Sequence, residues 1–65
     1  MKKNKKFGMV GKKVMVIKGD NKGKEGIVIE ETGYTPAYGV ICKVKLNDGS
    51  IGEYSMDFLK IMMGG

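Results

Sequence analysis

Nowhere in this sequence do apolar side chains recur at helical spacing over a window of about ten residues. That excludes helix bundles, coiled coils and layered α/β folds, and leaves short strands as the regular element the pattern supports. Residues 14–17 (Val-Met-Val-Ile) are rich in β-branched side chains and are bounded by Gly11 and by Gly19-Asp20-Asn21, which reads as a first strand. Residues 19–26 form a polar loop whose glycines, Gly19, Gly23 and Gly26, are expected to supply positive φ. Residues 27–29 make a second strand running into Glu30 and Glu31, and residues 32–39 a further glycine-containing loop around Pro36.

The clearest alternation lies in residues 40–46. Val40, Cys42, Val44 and Leu46 share one face, and Lys43 and Lys45 the other, the signature of a strand with one wet side. Asn47-Asp48-Gly49 is the strongest turn signal, because Asp-Gly tolerates the positive φ of tight hairpins. Residues 51–56 follow as the return strand. Ser55 is placed to cap one helical turn over residues 56–59, with Asp57 in its first turn, before a last strand at residues 60–62. The expected architecture is all-β: five short strands bent into a small, partly open barrel, with one 3-10 turn before the last strand. Residues 1–10 read as a basic N-terminal arm, with Phe7 tucking against a barrel that spans residues 11–63.

The chain is 65 residues long, enough for a single domain. A domain of that size buries only about 60% of the surface of its unfolded chain, so no enclosed catalytic cleft is expected. Histidine, the commonest general base and metal ligand, is absent. Cys42 is the only cysteine, which removes disulfide frameworks and multi-thiolate zinc sites; its parity in the strand makes it a buried structural thiol in a reducing compartment. No catalysis, cofactor or metal is expected. With no long apolar run, the expectation is a cytoplasmic monomer away from membranes.

Charge is unevenly spread. Residues 1–24 hold nine lysines against the single acid Asp20, and residues 25–65 hold three lysines against six acids, so +8 and −3 make up the overall +5. All twelve basic residues are lysine. Lysine is a point charge on a flexible stem, suited to phosphates and poor at reading bases. The candidate nucleic-acid-binding residues are therefore Lys2, Lys3, Lys5 and Lys6 of the arm, Lys12 and Lys13 at the first strand, and Lys18, Lys22 and Lys24 on the first loop. Tyr34 joins them as a ring on which a base could stack. Tyr38 is expected to cover the open end of the barrel, and Tyr54 and Phe58 to belong to the core.

Familiar phosphate-binding signatures do not fit. Gly19 and Gly23 are separated by three residues where a Walker A loop needs four before its Gly-Lys, and Glu25 follows Lys24 where Ser or Thr is required. No Gly-x-Gly-x-x-Gly enters a helix. Glu30 and Glu31 are adjacent in a strand and so point to opposite faces, which rules out a carboxylate pair.

Residues 11–28, Gly-Lys-Lys-Val-Met-Val-Ile-Lys-Gly-Asp-Asn-Lys-Gly-Lys-Glu-Gly-Ile-Val, resemble a KOW motif. This motif occurs in a large-subunit ribosomal protein and in NusG-type transcription elongation factors. The alternating apolar residues, the glycine-lysine-glycine loop and the Gly-x-Val ending all stand here. Later strands are similar to those of SH3-like and Tudor-like barrels. The resemblance implies an SH3-like barrel and an RNA-contacting accessory of the ribosome or of RNA polymerase, with the RNA or DNA phosphate backbone as partner and ribosomal or polymerase proteins alongside. The resemblance reaches neither the ribosomal family's downstream extension nor the elongation factors' companion domain. The alternative is a protein-interaction module of SH3 or Tudor type, a small regulator of transcription or translation.

Overall fold

The computed structural model describes residues 8–62; the arm residues Lys2, Lys3, Lys5, Lys6 and Phe7 lie outside the described residues. The chain forms β1 (Lys13–Val16), β2 (Glu25–Thr35), β3 (Gly39–Leu46), β4 (Ile51–Ser55), a 3-10 turn (Met56–Phe58) and β5 (Leu59–Ile61). The five strands make one antiparallel sheet in the order β4-β3-β2-β1-β5. The all-β, partly open barrel and the short turn before the last strand are both present. No helix among the described residues is long and apolar enough to cross a membrane.

The core is built mainly from β-branched side chains on inward positions. Val14 and Val16 of β1, Val28 of β2, and Cys42 and Val44 of β3 are fully buried. Each such valine contributes on the order of 1.5–3 kcal/mol by leaving water. Val40 and Leu46 complete the inward face of β3, as its alternation anticipates. Met9, inside the segment read as the arm, is 4% exposed and packs into the same core. Its backbone N–H donates to the buried carboxylate of Glu31 at 2.7 Å.

Strand β2 differs most from expectation. It does not stop near Glu31 but runs on to Thr35, pairing Gly33 with Ile41, Tyr34 with Val40 and Thr35 with Gly39. The segment read as a loop at residues 32–39 is the end of a long hairpin closed by a three-residue turn, Pro36 to Tyr38. Two register shifts, between Val28 and Glu30 and between Glu31 and Gly33, hide this strand from a period-2 reading. The first leaves both Ile29 and Glu30 outside and turns Glu31 inward, so buried positions fall at 26, 28 and 31 rather than on alternate residues.

Glycine has two different uses here. Gly19 and Gly23 have φ of 84° and 95° and turn the first loop as expected. Gly26 does not have positive φ: it is buried in β2, where a Cβ would collide with the Lys45 carbonyl oxygen and the Leu46 Cα. The close approach of β2 to β3 here is what needs a residue without a side chain. Ser55 precedes the 3-10 turn in extended conformation, but its hydroxyl makes no capping bond and is buried without a partner among the described residues.

Candidate nucleic-acid interface

The first loop, residues 17–24, is closed by its own backbone. Gly23 N–H donates to the Val16 carbonyl at 2.7 Å and Val16 N–H to the Lys24 carbonyl at 2.8 Å. Lys22 N–H reaches Gly19 O at 3.2 Å, and Lys24 N–H reaches Asn21 O at 3.0 Å. The amides of residues 22–24 are therefore spent inside the loop and are not offered to a phosphate. Asn21 ties the loop to the barrel by donating from Nδ2 to the Tyr54 hydroxyl at 2.7 Å. Tyr54 in turn packs against the core. Phe58 is half-buried and serves the loop: its ring lies 5.8 Å below the Lys18 ammonium, and its carbonyl accepts from Ile17 N–H at 2.8 Å.

The lysines on this frame are not equivalent. Lys12, Lys18 and Lys22 are exposed and make no ion pair among the described residues. Lys24 Nζ lies 3.1 Å from Asp48 Oδ2, in the β3–β4 turn. Lys13 Nζ lies 4.0 Å from Glu25 Oε1. Asp48 is held by more than Lys24. Its Oδ1 accepts from Ser50 Oγ at 2.6 Å and Ser50 N–H at 2.9 Å. Those two bonds first, and Lys24 after them, lower its pKa to about 2. Lys18, Lys22 and Lys24 share one end of the molecule with the Asp48 turn, whereas Lys12 and Lys13 stand at the far end of β1, about 10 Å along the strand.

Tyr34 is not part of this cluster. It sits at the other end of β2, 62% exposed, and Tyr38, in the turn that follows, is 59% exposed. Tyr38 thus does not cover the barrel end; the extension of the β2–β3 hairpin carries it outward, away from the core. No family model matches this chain, and no curated protein or solved structure shows significant similarity to it.

Lys43, Lys45 and Lys60 lie outside the candidate set read from the sequence, and the sheet gives one of them a basic neighbour in its row. Lys45 pairs across the sheet with Ile27, and Ile27 with Lys13, so two lysines from distant segments share one row of the outer face. The row continues to Ile51 on β4, which is 57% exposed. The alternation of residues 40–46 places Lys45 in water, but only the register of three strands puts it in one row with Lys13, with Ile27 between them. Cys42 lies on the opposite, buried face, its thiol pKa raised by burial and then by the charge of Glu31, its cross-strand neighbour.

Proposed function

We propose that the chain is a KOW-type SH3-like binding module that docks electrostatically on the RNA phosphate backbone in a ribosome or RNA polymerase setting. The observation that carries this reading is that Lys12, Lys18 and Lys22 are exposed and in no ion pair among the described residues, Lys18 and Lys22 together on the first loop and Lys12 at the far end of β1. The backbone bonds of the first loop hold Lys18 and Lys22 in fixed relation to the barrel, so less ordering entropy is lost on binding. Lys13 and Lys24 carry further charge at the two ends of β1, Lys13 partly answered by Glu25 and Lys24 by Asp48, and the lysines of residues 2–6 add to the basic total of the chain. Lysine without arginine suits phosphate contact that fixes position without reading sequence.

A second reading rests on the outer sheet face, where Ile27, Ile29 and Ile51 are exposed among paired charges such as Lys43 and Glu30, 3.4 Å apart. Apolar side chains on a wet sheet face suit a protein partner, in keeping with an SH3 or Tudor-type interaction module. Copurification from cells with and without nuclease separates the two. Retention of RNA that disappears in a Lys18→Glu/Lys22→Glu variant supports phosphate docking. A nuclease-resistant association with one protein complex, lost in Ile51→Glu and kept in the lysine variant, supports the other.

A further inference from the structure

Residues 32–40 contain no charged side chain, in a chain that is 29% charged. They form the tip of the β2–β3 hairpin, which extends past the pairings of the other strands among the described residues. The last pairing of β4 on β3 is at Ile41, and that of β1 on β2 is at Ile27, so the pairs Tyr34–Val40 and Thr35–Gly39 form a two-stranded ribbon. The turn is closed by local constraints. Pro36 fixes its own φ, Thr35 Oγ1 accepts from Tyr38 N–H at 3.0 Å, and Gly39 takes φ of 79°. On this projection both tyrosine rings are about three-fifths exposed.

Two largely exposed rings on an uncharged hairpin tip are poor partners for phosphate and good partners for a flat, weakly polar group. Such rings lose little conformational freedom when covered. β2 joins this tip to the lysine loop across about 30 Å of strand. A nucleic acid strand advances about 3.4 Å per stacked nucleotide, so an oligomer of about nine to twelve nucleotides reaches both ends. Resting on the phosphate-docking reading above, we propose that Tyr34 and Tyr38 form a stacking platform for unpaired bases, so that the module selects single-stranded RNA over duplex. Phosphates are held at the lysine end and bases at the tyrosine end. A duplex hides its base faces and engages the lysine end only.

Three probes separate the two ends: a single-stranded RNA of about twelve nucleotides, the same sequence as a duplex, and inorganic polyphosphate, which carries the charge without bases. Tyr38 is the residue to change, because its ring is not part of the core. Tyr38→Ala is expected to bind the single strand at least about fivefold more weakly, the low end for losing one stacked base. Tyr38→Phe keeps the ring and retains the affinity. Neither change alters binding of the duplex or of polyphosphate. Lys18→Gln/Lys22→Gln weakens all three. Unchanged single-strand binding by Tyr38→Ala, or an equal loss with all three probes, overturns the platform while leaving phosphate docking standing. A wild-type protein that binds none of the three overturns both.

Discussion

Lys24 Nζ and Asp48 Oδ2 lie 3.1 Å apart, joining the first loop to the β3–β4 turn. The pair is exposed, so it contributes little to stability, but it decides how much of the Lys24 charge is offered outward. Lys22, two residues earlier, has no such partner among the described residues. Lys22→Gln is therefore expected to weaken RNA binding more than Lys24→Gln. Asp48→Asn, which releases Lys24, is expected to strengthen it and to steepen the salt dependence by about 0.7, one more phosphate contact on a single strand. Titrations of one labelled RNA at several salt concentrations check the order.

The same carboxylate gives a pH signature. Its folded pKa is depressed to about 2 by the Ser50 hydroxyl and amide and by Lys24, below the unfolded value of about 3.9. A depressed acid contributes its stability above the unfolded pKa and loses it as pH falls toward the folded one. The stability difference between wild type and Asp48→Asn is thus expected to stay flat above about pH 5 and to shrink progressively as pH falls toward about 2. Urea denaturation at a series of pH values measures it, and NMR titration of the Asp48 carboxyl gives the midpoint directly.

Gly26 and Gly23 separate two reasons for a glycine. Gly26→Ala drives a Cβ into the backbone of Lys45 and Leu46, which cannot move aside without opening the β2–β3 pairing. A loss of about 3 kcal/mol is expected, a large share of a small domain's stability. Gly23→Ala meets open space and is strained only by its φ of 95°, so a loss nearer 1 kcal/mol is expected. Chemical denaturation of both variants tests the ranking.

Cys42 is fully buried and its thiol pKa is raised, so both access and thiolate fraction protect it. Modification by a thiol reagent at neutral pH is expected to follow the unfolding equilibrium, accelerating in denaturant in step with loss of the native fluorescence of the tyrosines. Rapid reaction in native buffer would show that the β2–β3 region opens locally.

Much of the barrel is legible from residue order because β3 and the turns obey local rules. Val40, Cys42, Val44 and Leu46 alternate cleanly, and Asp48-Gly49 turns where Gly49 has φ of 93°. β2 breaks the rule with its two register shifts, and there the sequence misleads: inward positions are no longer evenly spaced, and Thr32 to Thr35 read as loop. Burial of Glu31 is invisible for the same reason, since an unbroken strand would have turned Glu30 inward. The lysine loop is recognisable from its glycines, but which lysine is answered depends on Asp48, twenty-four residues away from Lys24. Lys45 joins Lys13 only through the cross-strand register, a relation that residue order alone does not contain.

The central claim is that side-chain ammonium groups neutralise RNA phosphates, and salt dependence tests it most directly. With about four phosphates engaged, log affinity against log salt on a single strand is expected to fall with a slope near −3. A flat response would contradict the account, whatever else the protein binds.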